Sequence, residues 1–439
     1  MVITRGLLAT SLVVLAAYGC ERENPYKLTG DTTAHEDCPP VTVDPTTGPT
    51  SGAGAGSSVS STNSTGAGAG MPDPTELDER VVDYGEALRI ASLKLIGNLP
   101  TLSQVYQVAD APTEEEQAII YGELVEDMLD DPRFKYRMVE YWRNVFKMYG
   151  NAVIAGEPTR ETAPAFAARI VVEGRPWTDM LKASIDTCPT FDENTGEFVP
   201  GECNNNITPA GVLTDPGAQS LYWGNLAFRR NRFIHETFLC RNGNASGGAE
   251  PTNAPSTEGA CGEDPPPNYT SPWPMGSISG ECNADLSKPH DQVDFHEYNA
   301  TTICANCHAT WNHRAPLFAN FDKNGMYTDT PQVLVPVEGA PFAQRTDWLP
   351  VGEPTAWKFG MPAADLAELG NVMANDPEVH ACAVKRMWNY AMSRGDIVDN
   401  ETPVANVVVE PFVEDFVNSN FNMRETLKAI LLSEDFVSF

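Results

Sequence analysis

Cys304-Ala305-Asn306-Cys307-His308 carries the pattern Cys-x-x-Cys-His, the attachment signal of a c-type haem. In that chemistry two thiols add across the haem vinyl groups, and the adjoining imidazole becomes the proximal iron ligand. The pattern nominates Cys304, Cys307 and His308 as the residues holding one haem c, with His308 as a metal ligand. A chance match and a zinc knuckle share the same letters. A structural zinc site needs four ligands, and no second Cys/His pair stands at zinc-finger spacing. The N-terminus also reads as an export signal, and c-type haem is attached outside the cytoplasm.

Outward from this stretch the chain reads as helix. Gln292 to Ile303 can form the helix that usually precedes the attachment cysteines. Downstream, Ala363 to Ala374, Asp376 to Arg394, Pro411 to Asn418 and Met423 to Leu432 have apolar residues at helical spacing. Short strands are expected around Val333-Leu334-Val335 and from Gln344 to Trp348. Upstream, Leu77, Val81, Val82, Leu88 and Leu95 lie on a helical stripe stopped at Gly97-Asn98-Leu99-Pro100. Thr113 with Glu114 to Glu116, and Asp131-Pro132, each open another helix. Thr162 to Val172, Pro176 to Ile185 and Ser220 to Cys240 are further candidates. The expected fold class is mainly α: helical exported domains with an embedded cytochrome c-like haem segment and long disulfide-bearing loops.

The far side of the iron is left with several candidates. Gly360-Met361-Pro362 has the character of an extended loop able to bring a thioether to a haem face, so Met361 is the expected sixth metal ligand. His313, Met326 and His296 are lesser candidates, and an open or water-bound site is the remaining one. Arg229, Arg230 and Arg232 cluster in an otherwise acidic chain, and such a cluster either clamps haem propionates or forms a solvated face.

Met1 to Cys20 reads as an export signal, with Arg5, the apolar run Leu7 to Ala17, then small residues. Ala17-Tyr18-Gly19-Cys20 resembles a bacterial lipobox, with Tyr18 a looser fit than Ser or Ala, making Cys20 the expected lipidation site; ordinary secretion with a free Cys20 is the other reading. Residues 21 to 73 are rich in Gly, Ser, Thr, Ala and Pro and have little to bury, as suits a flexible tether. The expected organisation is a lipoprotein signal peptide over 1–19, a tether over 20–73 and an N-terminal helical domain over 74–215. A helix with a cysteine-bearing loop follows over 216–300, then a cytochrome c-like and C-terminal helical region over 301–439. The expected location is periplasmic or at a bacterial cell surface, anchored in a membrane by lipid. The 439 residues carry 29 Lys plus Arg against 60 Asp plus Glu, a net charge of −31, which argues against nucleic acid.

Ten cysteines are present. With Cys20 given to lipid and Cys304 and Cys307 to haem, seven remain for an oxidising compartment where most should pair. Short loops favour Cys188 with Cys203 and Cys261 with Cys282. Cys240 and Cys382 are then a long-range pair and Cys38 is left over.

The chain from about Arg89 to Phe439 resembles the planctomycete-type cytochrome-like proteins, which consist of adjacent domains of unknown function. After Cys304-x-x-Cys307-His308 come Asn320-Phe321-Asp322 and Gly325, in that family's order. Met128-Leu129-Asp130-Asp131-Pro132-Arg133-Phe134, Tyr141-Trp142, Gly211-Val212-Leu213-Thr214 and Arg229-Arg230 to Phe238-Leu239-Cys240 are similar to its upstream signatures. Ala381-Cys382, Tyr390 to Gly395 and Leu427 to Phe436 match its last helices. Asn312-His313-Arg314-Ala315-Pro316 departs from the family's loop beside the haem. The resemblance implies a haem-bearing, exported, mostly helical protein and names no substrate.

Three functions fit these features. The first is single-electron transfer by a lipid-anchored monohaem protein, with a redox partner protein or a small-molecule donor and acceptor. The second is a haem enzyme, peroxidase-like or an oxidase, with an open distal site. The third is a surface binding or scaffold lipoprotein with an accessory haem. No motif distinctive of a hydrolase is present.

Overall fold

The computed structural model describes residues 80–149, 156–241, 270–273, 305–334, 342–396, 398 and 404–439. By its contacts the chain divides into Met1–Pro72 and Asp73–Phe439, and the described residues all belong to the second unit. Cys20, Cys38, Cys261, Cys282, His296 and Cys304 lie outside the described residues, as do the tether and the helix expected before the haem stretch.

The described chain is mainly helical with little strand. Helix α1, Tyr84–Leu95, starts where Asp83 accepts the amides of Gly85 and Glu86, and it buries Ala87, Leu88, Ala91 and Leu95. The apolar stripe had promised helix from Leu77. Instead Val81 and Asp83 donate to the carbonyls of Phe439 and Val437, so this segment is extended against the C-terminus. Helix α2, Leu102–Ala109, was missed in the sequence although Thr101 and Gln104 form a capping box at its start.

Helix α3, Glu114–Asp130, is capped by Thr113, and α4, Pro132–Phe146, by Asp131. Helix α5, Thr162–Val172, packs on α4 and is buried almost all round, as its alanine-rich sequence allows. Of the helix expected over Pro176 to Ile185, only Asp179–Lys182, α6, forms. A small hairpin follows, Thr190–Asp192 as β1 and Glu197–Val199 as β2. The disulfide Cys188–Cys203 closes that loop, as expected.

The helix read over Ser220 to Cys240 is two helices. Helix α7, Pro216–Leu221, is broken from α8, Phe228–Leu239, by Gly224, Leu226 and Ala227, all at positive φ. Beyond them lie α9, Ala305–Arg314, and a two-stranded hairpin of β3, Ala356–Lys358, and β4, Met361–Pro362. The C-terminal helices are α10, Leu366–Ala374, α11, Pro377–Ala391, α12, Asn406–Asn418, α13, Met423–Leu431, and α14, Glu434–Val437. The strand expected from Gln344 to Trp348 is a 3₁₀ turn over Arg345–Asp347, held because Asp347 accepts the amide of Gln344. Around Val333 to Val335, Leu334 makes a single bridge to Phe342.

One hydrophobic core draws residues from all three expected folded segments, among them Phe134, Trp177, Phe238, Phe318, Trp357 and Leu427. The disulfide Cys240–Cys382 joins the end of α8 to α11. Beside it the buried Arg386 donates to the Glu236 carbonyl at 2.7 Å, so the α8 to α11 seam is both covalent and hydrogen-bonded.

The Gly211-Val212-Leu213-Thr214 turn is dictated by space. A β-carbon on Gly211 would lie 1.9 Å from the Met180 carbonyl oxygen, and its φ of +50° already favours glycine. The turn delivers Asp215 into the interior, where it accepts the Thr162 hydroxyl at 2.6 Å and the Ala218 amide at 2.8 Å. Burial pushes its carboxyl up to about 6 from 3.8. A raised carboxyl pKa means that ionisation is penalised in the fold. The penalty is absent below about pH 4, grows as pH rises through 6, and amounts to roughly 3 kcal/mol above that. Asp215→Asn, which cannot ionise, should therefore gain stability relative to wild type by up to roughly 3 kcal/mol as pH rises from 4 to 7. Urea unfolding of both proteins across pH 4 to 7 checks this, and a constant difference between them would contradict it.

Candidate functional site

The arrangement around α9 is set by helical spacing. Residues 307, 311 and 314 follow one another by four and three positions and so share one face of α9, with His308 next to Cys307. Cys307 is exposed, and His308 is half-buried on the same turn. The His308 Nδ1 lies 3.4 Å from Oδ1 of Asn312, one turn further on, and Asn312 is fully buried. Burial pushes the His308 imidazole down to about 4, opposed by the Asn312 contact, so the ring is neutral at pH 7. With the proton on Nδ1 donated to Asn312, Nε2 is the lone-pair nitrogen.

Helix α8 packs alongside. Phe228 meets the His308 ring edge to face at 4.8 Å, and Trp311 lies 5.6 Å from His308. Asn231 donates to the Trp311 carbonyl at 3.0 Å, and His235, seven residues after Phe228, approaches Trp311 at 5.9 Å. Phe228, Asn231 and His235 therefore form the face of α8 that meets α9. Burial pushes His235 down to about 3, with the charges of Arg314, Arg241 and Lys358 adding to the shift.

The buried member of the arginine cluster is spent on backbone carbonyls. Arg230 is buried and donates to the carbonyls of Gln219, Phe318, Phe321 and Asp322 at 2.7 to 2.9 Å. That guanidinium pins the chain just after α9 to α7 and α8, since buried carbonyls need donors. Arg232 pairs with Glu236 at 2.6 Å, and Arg229 is exposed beside the Trp223 carbonyl. The Arg229-Arg230 signature is thus largely a folding device.

His313 is fully buried and committed. Its ring stacks 3.6 Å from Trp273, its Nδ1 meets the Ala309 carbonyl, and its Nε2 lies 3.2 Å from Glu353. Those contacts, and its position on another face of α9, remove it as an iron ligand. Met326 belongs to a tight turn in which Asp322 accepts its amide.

Met361 does not sit in an extended loop. Gly360, at φ +78° with open space around it, turns the chain so that Met361 pairs with Lys358. The Met361 side chain is half-buried against the core, and the hairpin's first strand packs on α9. The structure thus brings His308, Trp311, Phe228 and His235 together. Helical phase on α9 was the signal for Trp311 and Arg314, whereas nothing in the sequence joined His235 to them.

Among the described residues no helix is long and apolar enough to cross a membrane. Cys188, Cys203 and Asp215 also lie within reach of one another, but the two thiols are spent in the disulfide. The chain matches no protein-family model, no curated protein and no solved structure.

Proposed function

We propose that this chain is an exported, lipid-anchored, c-type cytochrome-like protein that passes single electrons through one haem held by Cys304, Cys307 and His308. The observation that carries the reading is the neutral His308 imidazole beside the exposed Cys307, with its Nδ1 turned to Asn312. A ligating histidine needs a deprotonated nitrogen and a hydrogen bond on the other one to fix its tautomer and orientation. Phe228 and Trp311 add an apolar wall to the same face, as a haem requires. When bound, the haem supplies a one-electron ferric/ferrous couple.

The protein's own residues do the rest. Asn312 holds the imidazole proton and orients the ring, while α8 and Arg230 fix α9 and the chain that follows it. Partners are a redox protein or a small-molecule donor and acceptor. The net charge of −31 argues against nucleic acid, and contact with a membrane is through lipid on Cys20.

The sixth ligand separates a carrier from an enzyme. With Met361 on the iron, the oxidised protein should show the weak far-red sulfur-to-iron band and resist carbon monoxide when reduced. Met361→Ala should abolish the band and admit carbon monoxide. A wild type that lacks the band and binds carbon monoxide readily rejects Met361 and replaces the carrier by a peroxidase-like or oxidase enzyme.

A further inference from the structure

Arg314 closes the α9 face that begins at the haem pattern, seven residues beyond Cys307 and three beyond Trp311. Its side chain is fully buried, and its guanidinium lies 4.0 Å from the centre of the Trp357 ring. Nη2 donates to the Trp357 carbonyl at 3.0 Å. Nε and Nη1 find no hydrogen-bond partner among the described residues. A buried guanidinium with two idle donors and no counter-ion is costly, by several kcal/mol in general.

The neighbouring charges do not supply that counter-ion. Asp376 takes the Trp357 Nε1 at 2.6 Å and Lys358 at 2.5 Å, and Glu378 takes Lys358 at 2.5 Å and pairs with Arg241. Both acids attract Arg314, yet neither is hydrogen-bonded to it. A second orphan stands on α8, the helix packed against α9. Nδ1 of His235 is buried without a partner, on a ring beside Trp311 and within the field of Arg314. Two helices in contact therefore carry three idle nitrogens, two of them on Arg314 at the end of the α9 face that includes Cys307 and Trp311.

We infer that Arg314 and His235 form a carboxylate seat, and that the carboxylate is a propionate of the covalently bound haem. A planar carboxylate matches the fork of Nε and Nη1, and an imidazole donor can serve its second oxygen. The inference rests on the haem reading above. It moves the propionate contact from the Arg229 to Arg232 cluster, whose buried member is committed to carbonyls, to a residue on the haem-bearing helix itself.

The test uses the full chain matured with haem, verified by intact mass, and reads its reduction potential. Arg314→Gln removes a positive charge beside an anionic propionate, which favours ferric iron and should lower the potential. Arg314→Lys keeps the charge and should stay near wild type. His235→Phe, with a ring but no donor, should shift the potential in the same direction by less, and it serves if Arg314→Gln fails to fold. Haem-loaded variants whose potentials equal the wild type overturn the seat and leave the haem reading intact. Stabilisation of haem-loaded wild type by added acetate, lost in Arg314→Lys, would show the seat open to a free carboxylate and overturn the propionate assignment. A chain that matures without haem overturns both readings together.

Discussion

Replacing Cys304 and Cys307 with alanine is expected to abolish the addition of one haem that the wild-type chain acquires in a host able to attach c-type haem. The effect should be all or none in the intact mass, because both covalent links are removed at once. Cys307 is exposed and so open to a haem vinyl group, and His308 on the same turn is neutral with its Nδ1 held by Asn312. Attachment should leave the helical content of the protein unchanged, since the α9 residues that pack inward include Asn312, His313 and Arg314 and not Cys307. An unmodified wild-type mass with zinc bound would replace haem by a metal knuckle and remove the electron-transfer reading with it.

Serine in place of Cys240 and Cys382 is expected to produce the largest loss of stability of any substitution that leaves the core volume intact. The two residues are 142 apart in sequence and 5.4 Å apart between Cα atoms. In the loop-entropy description, closing so long a loop restricts the unfolded chain by about 5 kcal/mol at most. Part of that loss is moderated by the rest of the seam, where Arg386 bonds the Glu236 carbonyl and Asn231 holds α9 to α8. Unfolding of the double variant in urea, against wild type under oxidising and reducing conditions, measures it. Equal midpoints for oxidised wild type and the variant would show that the bridge contributes nothing; equal midpoints for reduced wild type and the variant are the expected control. Opening Cys188–Cys203 should cost less, because its 15-residue separation already limits the loop.

Much of the local chemistry was legible in the sequence, where a residue acts on its near neighbours. Thr113, Asp131 and Asp376, read as helix starts, cap the helices that follow them, because a side-chain oxygen there meets otherwise idle amides a few residues on; Asp83 and Thr101 do the same and were passed over. The mainly helical class followed from apolar periodicity, and the disulfides Cys188–Cys203 and Cys240–Cys382 followed from cysteine counting and loop length. The spacing from Cys304 to His308 is likewise local, so the haem pattern could be read before any fold was known.

Contacts between distant segments were decided by the tertiary structure alone. Arg230 looked like a surface cation, and only the return of the Phe318 to Asp322 carbonyls around it, some ninety residues on, makes it an interior tie. Val81 and Val82 carry a helical stripe, yet the chain's last residues reach them first and pair with their backbone. Met361 was read as a reaching loop until Gly360 turned it back onto β3. His235 and Arg314 acquire meaning only because α8 lies along α9, leaving idle donors from two helices side by side. Periodicity and caps act over one or two turns of chain, whereas desolvation and the pairing of buried polar groups are set by what the fold brings against them.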